Sequence, residues 1–291
     1  MNRVLVTGGA GFLGRTVVKQ LEQQDIECLA LDNNEPHCGA DTNARAIDVD
    51  ITDFHRLNGI IVALGIDTIV HLAAYGRNLT CKDFAERAYQ VNVNGTRNVL
   101  EIARLHPDIV KRVVVCSSNI ALSDVPTIYR MTKNLTEALV KEYAALGVSV
   151  IGLRPSNICG VGQSRTEYQQ CAMAMMDVRL EQQGFITIEG DGSASRDFVN
   201  VKDVARAFLL AAGSSIVGET LDVCTGRLTS VLEVVKMTGA PYKHAAPRPG
   251  DAATLVSDPN PAWHKLGFSA EIGIEQTVRE SFPFALKHYP L

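Results

Sequence analysis

Residues 3–24 read RVLVTGGAGFLGRTVVKQLEQQ, and this stretch decides the fold. RVLVT is a short β-branched run, as a buried strand requires. From Phe12 onward Leu13, Val17, Val18 and Leu21 fall at helical spacing. Between the two lie Gly8, Gly9, Gly11 and Gly14. Gly9-x-Gly11-x-x-Gly14 fits a dinucleotide fingerprint, and Gly8-x-x-Gly11-x-x-Gly14 fits its variant. The physical reason is close approach: without side chains, backbone N–H groups reach a pyrophosphate at the positive end of a helix. The pattern is weak alone and strong between a strand and a helix. It marks Gly8, Gly11, Phe12, Leu13 and Gly14 as cofactor-binding candidates.

The residues that follow repeat the same alternation. CLALD (28–32), ARAIDVD (44–50), DTIVHLAA (67–74), KRVVVCSS (111–118) and VSVIGLRP (148–155) are apolar runs. Helical segments lie between them at 53–64, about 82–105 and about 128–146. Continuous apolar strands alternating with helices predict a parallel sheet covered on both faces. The fold class is therefore α/β: a doubly wound parallel-sheet Rossmann domain with a smaller, interleaved substrate-binding lobe. The regularity fails after Pro155 and returns in VNVKDVARAFLLAA (199–212) and ETLDVC (219–224). We expect residues 1–155 and about 198–227 to form the nucleotide-binding domain. Residues about 156–197 and 228–291 would form the second lobe, with a cleft between.

Bulk properties exclude other classes. The chain has 291 residues, a formal net charge of −4 and no long basic run, which argues against a nucleic-acid surface. No apolar run approaches the roughly 20 residues of a membrane-spanning helix, and the N-terminus resembles neither a signal peptide nor an anchor. The seven cysteines are scattered without Cys-x-x-Cys, as expected of buried, reduced thiols in a cytoplasmic protein. The seven histidines show no metal-ligand spacing, so no metal is predicted.

Asp32 ends the second strand, where a carboxylate accepts both ribose hydroxyls and repels a 2′-phosphate; this favours NAD over NADP. Leu72, Ala73 and Ala74 end the fourth strand and are small enough for a cofactor to lie against the sheet. His71 reads as structural. Tyr129 and Lys133 are four apart and share one helix face. An ammonium, a nicotinamide ring and a helix N-terminus all favour phenolate. Ser117 or Ser118, at the end of the fifth strand, is placed to bond the same substrate hydroxyl.

These motifs, with NVNGT (92–96), RPSNICGVGQ (154–163), GDGSASRDFVNVKDVA (190–205) and RPGD (248–251), run in one order along nearly the whole chain. In that order the chain resembles an extended short-chain dehydrogenase/reductase of the NAD-dependent sugar-nucleotide epimerase/dehydratase family. The resemblance implies that Asp32 and Asn33 hold the adenosine ribose and that Asp48 and Val49 hold the adenine. Asn92 and Pro155 fall on the cofactor side, Lys133 on the nicotinamide ribose, and Tyr129 is the catalytic base with Ser118 beside it. It implies that Asn157, Arg196 and Arg248 meet a substrate diphosphate and Asp251 the nucleoside ribose; arginine forks suit phosphate oxygens. It further implies a homodimer sealed by the helices at about 82–105 and 128–146. Leu135, Leu139 and Val140 suit either that seam or the core.

The reaction implied is 4-epimerisation of a nucleoside-diphosphate sugar, a UDP-hexose or UDP-N-acetylhexosamine, through a 4-keto intermediate. Family dehydratases carry an acid pair where this chain has Asn119 and Ile120, so elimination is disfavoured. A sugar-nucleotide dehydrogenase or 4-keto reductase ranks second, and a non-catalytic NAD-binding protein third. Two departures bear on the sugar. The connection NIALSDVPTI (119–128) is shorter than in relatives, and Leu255 stands where glucose-selective epimerases carry a bulky aromatic.

Overall fold

The computed structural model describes residues 1–33, 46–165, 171–246 and 256–289. The strands of the main body are β1 (Arg3–Thr7), β2 (Glu27–Asp32), β3 (Ile47–Asp48), β4 (Thr68–His71), β5 (Arg112–Cys116) and β6 (Val150–Pro155). Four short strands follow: β7 (Asn157–Cys159), β8 (Ile186–Glu189), β9 (Ser195–Arg196) and β10 (Phe198–Asn200). The last are β11 (Thr220–Val223), β12 (Thr229–Ser230) and β13 (Tyr242–Ala245). The helices used below are α1 (Phe12–Glu22), α2 (Phe54–Ala63), α3 (Asn78–Asp83), α4 (Ala85–Tyr89), α5 (Thr96–Leu105), α6 (Ile128–Ala145), α7 (Ala172–Gln183) and α8 (Val201–Gly213).

Seven strands make one sheet in the order β11-β6-β5-β4-β1-β2-β3, and every pairing in it is parallel. The apolar runs are continuous because both faces are covered. Val4, Val6, Val70, Val114, Ile151 and Leu153 pack with α1 and α8 on one face. Leu5, Leu31, Ile69, Val113, Val115 and Val150 pack with α2, α5 and α6 on the other. Neighbouring strand residues alternate between the two layers, as the pleat demands. Each fully buried aliphatic side chain contributes about 1.5–3 kcal/mol.

The chain winds one way from β1 to β3 and the other way from β4 to β6. The reversal lies between β1 and β4, so a crevice opens at the carboxyl ends of those two strands. Gly8 follows β1 there, and Leu72–Ala74 follow β4. β11 returns from late in the sequence to the β6 edge, pairing Thr220–Val223 with Gly152–Pro155. A third apolar cluster lies apart from the sheet. It joins α7, β8 and the late helices through Met173, Leu180, Ile186, Phe198, Val235 and Phe282. β8 pairs with β13 there, and β7 pairs with β10 beside the crevice.

One expected element is built differently. The long helix at about 82–105 is α3, α4 and α5 in succession, with a π-helical turn over Gln90–Gly95 before α5. The cause is a buried amide. Asn92 Oδ1 accepts from Tyr75 N at 2.7 Å, and its Nδ2 donates to Tyr75 O at 3.1 Å and Thr132 Oγ1 at 3.0 Å. Three tertiary bonds made by one helical side chain outweigh regular winding, and π-turns recur where a helix is so used.

Candidate active site

The glycine loop is shaped by contact distance. Gly8 has φ +68°, and a Cβ on it would lie 2.7 Å from Ala73 N. A Cβ on Gly14 would lie 2.1 Å from Gly8 O, so α1 could not close on the loop. Gly11 N donates to Gly8 O at 3.0 Å. Gly11 also caps α1, and no side chain supplies a cap hydrogen bond. The first-turn amides are thus directed at the crevice, the arrangement that binds a phosphate. Asp32 is buried, and its Oδ2 accepts from Ala10 N at 3.1 Å. The acidic residue therefore also braces the loop.

Two adjoining cavities meet at this loop. The smaller is lined by Gly8, Gly11, Asp32, Asn33, Val49, Ile51, Leu72, Ala73, Ala74, Tyr75 and Val91. An acidic rim with an apolar floor suits an adenosine. Val49 and Ile51 take part in the wall, whereas Asp48 is exposed at the end of β3 and does not. The larger cavity, of about 480 Å³, runs past Phe12, Leu13, Gly14, Pro155, Tyr129, Lys133 and Ser118 to Asn157 and Arg196. Sequence-identified residues from separate stretches of the chain, between Gly8 and Arg196, therefore line two connected spaces. Asn92 stands behind the wall and holds Tyr75. Arg248, Asp251 and Leu255 lie outside the described residues.

α6 positions Tyr129 and Lys133. Thr127 caps it, accepting from Arg130 N at 3.1 Å, and Tyr129 and Lys133 follow on its inner face. Lys133 is buried, and its Nζ donates to Cys116 O at 2.8 Å and lies 5.8 Å from the Tyr129 ring centre. Burial pushes the Lys133 ammonium below its usual range, against the pull of Cys116, Cys81 and Glu137. Burial also pushes the Tyr129 phenol up, and the Cys116 thiol adds to this. A hydrogen bond with Ser118 and the charge of Arg77 act the other way. The expected depression of the phenol is thus reversed in the protein alone, because desolvation of the enclosed hydroxyl exceeds what its neighbours return.

The two serines separate cleanly. Ser117 Oγ donates to Glu137 Oε1 at 2.5 Å. Ser118 caps a short 3₁₀ turn, accepts from Ile120 N at 3.3 Å and bonds the Tyr129 hydroxyl. His71 is a strut, as read: Thr7 Oγ1 lies 2.7 Å from Nδ1 and Thr96 Oγ1 lies 3.0 Å from Nε2. Thr96 spends its proton on Asn92 O at 2.7 Å, so His71 is the neutral Nε2–H tautomer. Burial, with Lys133 nearby, lowers its pKa to about 3.

Sequence reading missed Arg77, just past β4. It lines the larger cavity together with Thr127, Cys159 and Cys171. Nothing in local spacing marks it; only the turn of the chain after Tyr75 brings it there. The charged side chains lining this cavity are Arg77, Lys133 and Arg196, with no carboxylate among the described lining residues. The space suits an anion. Among the described residues no group of metal ligands occurs, and no helix is long and apolar enough to cross a membrane.

Comparison with known proteins agrees with this geometry. The chain is 29% identical to a putative UDP-glucose 4-epimerase of Methanocaldococcus jannaschii, over 95% of this chain and 96% of the other. It is 30% identical to a dTDP-4-dehydro-6-deoxy-D-allose reductase of a Streptomyces species, over 95% of each. The crystal structure of a Thermotoga maritima UDP-glucose 4-epimerase with UDP-glucose superposes with a TM-score of 0.88 at 26% identity, covering 98% of this chain and 99% of that one. The NAD dependent epimerase/dehydratase family model matches residues 4–224. The glycine loop, the buried Asp32 and the adjoining adenosine-shaped cavity fit NAD, and the chain is an NAD-dependent enzyme that belongs to the epimerase/dehydratase family.

Proposed function

We propose that the protein interconverts the C4 epimers of a nucleoside-diphosphate hexose or N-acetylhexosamine, with UDP as the nucleotide. One observation carries this reading. The Ser118–Tyr129 hydroxyl pair sits in a cavity lined by three cations and no described carboxylate. The cations suit a diphosphate. The missing acid argues against elimination, since Asn119 and Ile120 line the wall where a dehydratase needs a proton donor.

NAD, when bound, supplies the hydride acceptor and a positively charged ring that favours phenolate. The chain's own groups do the rest. Tyr129 takes the proton of the sugar C4 hydroxyl, and Ser118 donates to the same oxygen as it becomes a carbonyl. Lys133, anchored on Cys116 O, fixes the helix face and adds positive charge near the phenol. Asn157 and Arg196 hold the diphosphate while the 4-keto sugar turns over to present its other face. The proton then returns from Tyr129. Asp32 at the ribose position supports NAD rather than NADP, and so an epimerase over an NADPH-fed 4-keto reductase.

The test is an NMR time course with NAD and, separately, UDP-glucose, UDP-N-acetylglucosamine and UDP-glucuronate. A C4 epimer that disappears in Tyr129→Phe is the expected result. No epimer from any of them, with reduction of a 4-keto sugar instead, would overturn it.

We also propose a homodimer built on the faces of the helices at about 82–105 (α4 and α5) and 128–146 (α6). Val140 is buried in the core and Leu139 packs partly against it, whereas Tyr89, Met131 and Leu135 are exposed. Light scattering that gives the mass of one chain would end this reading.

A further inference from the structure

Two thiols in the wall of the larger cavity have no part in the reaction above. Cys159 ends β7 and is 1% exposed; Cys171 caps the start of α7 and is 9% exposed. Both line the cavity, and their side chains are hydrogen-bonded to each other. The chain brings them together from two different elements, the end of β7 and the start of α7. We propose that Cys159 and Cys171 form a dithiol in the wall of the substrate cavity that hydrogen peroxide closes to a reversible disulfide.

The surroundings make the two sulfurs unequal. Burial opposes ionisation of Cys171, but the Cys159 S–H, the Arg77 guanidinium and the first-turn amides of Ala174 and Met173 outweigh it and hold Cys171 below the ordinary thiol range. Cys159 moves the other way because it donates to that sulfur. Cys28, Cys81, Cys116 and Cys224 are all raised by burial. Among the described cysteines Cys171 is thus the one set up as a thiolate, beside a helix N-terminus and a cation, where reactive cysteines are found.

The chemistry balances. The Cys171 thiolate attacks one peroxide oxygen, the O–O bond breaks, and hydroxide leaves to become water. Cys171 is then a sulfenic acid. The Cys159 sulfur displaces its hydroxyl, which departs as a second water carrying the Cys159 proton. Two thiols lose two electrons and two protons, and peroxide is reduced to two waters. The bond joins the end of β7 to the start of α7 at the cavity wall, so oxidation lowers turnover and a thiol reductant restores it.

The test reads the bond directly and does not depend on which sugar is turned over. The reduced protein is treated with equimolar hydrogen peroxide, blocked with iodoacetamide, digested and weighed by mass spectrometry. The expected result is a peptide pair joined through Cys159 and Cys171, lost on treatment with dithiothreitol. Cys159→Ser would instead accumulate a dimedone adduct on Cys171, and Cys171→Ser would give neither product. In the absence of peroxide, Cys171 should alkylate about tenfold faster at pH 7 than Cys28. Oxidation first at another pair, or alkylation of Cys171 no faster than Cys28, would overturn the proposal. The unsubstituted protein alone gives both readouts, so a variant that fails to fold does not leave the question open.

Discussion

Ser117 donates to Glu137 Oε1 at 2.5 Å, from the end of β5 to the middle of α6. Glu137 also accepts from Arg154 Nε and Nη2, both at 2.9 Å, and Arg154 continues to Asp222. One hydroxyl of the serine pair is therefore tied into a half-buried ionic network. Ser118 is left to meet Tyr129.

Ser118→Ala should lower kcat by about 100-fold, the scale of one lost donor at a developing charge, and leave the melting temperature near that of the parent. Ser117→Ala should do the opposite. It removes a hydrogen bond to a charged acceptor, costing about 1.5–3 kcal/mol in urea unfolding, and keeps kcat within a few-fold. If the two effects were exchanged, the assignment of the catalytic serine would be wrong.

Tyr129→Phe should cut kcat by roughly 100- to 10,000-fold while the protein still binds NAD. The direction of the phenol's shift gives a second signature. Its pKa is raised by burial, so the ionised fraction grows as pH rises. The kcat/KM of the parent should therefore climb from neutral to alkaline pH, and the residual rate of Tyr129→Phe should not. A flat profile for the parent would remove Tyr129 as the base.

Asp32→Ala should weaken NAD by about tenfold or more, as expected for the loss of a charge-assisted bond to a ribose hydroxyl, and narrow the preference over NADP. Isothermal titration with each cofactor measures both. Because Asp32 also holds Ala10 N, some loss should be common to the two cofactors. An unchanged NAD-to-NADP ratio would mean that Asp32 only braces the loop.

His71 predicts a pH dependence of stability. Its pKa is about 3 folded and near 6.5 unfolded, so between those values the unfolded chain binds the extra proton. Its stabilising contribution is complete above pH 6.5 and is lost as pH falls toward 3. The slope is at most about 1.4 kcal/mol per pH unit. Urea midpoints at pH 7 and pH 5 should differ in this direction, and by less in His71→Asn. An equal difference in both proteins would assign the effect to other groups.

Much of this protein is local in origin. The glycine spacing, the apolar periodicity and the acidic end of β2 act between residues close in the chain, so the doubly wound sheet and the crevice-lining Gly8, Gly11, Gly14 and Asp32 were legible in the sequence. The Tyr129–Lys133 pair was legible for the same reason: one turn of helix separates them. Folding decided what depends on side-chain direction and distant contact. It turned Ser117 to Glu137 and Ser118 to Tyr129, though the two are adjacent. It left Asp48 exposed and put Ile51 in the wall. It interrupted a helix so that Asn92 could hold Tyr75, and it set Arg77 across from Tyr129 and Cys171 beside Cys159. The physical reason is that periodicity states which face of an element is apolar, but a partner brought from 11 to 52 residues away is chosen only when the elements pack.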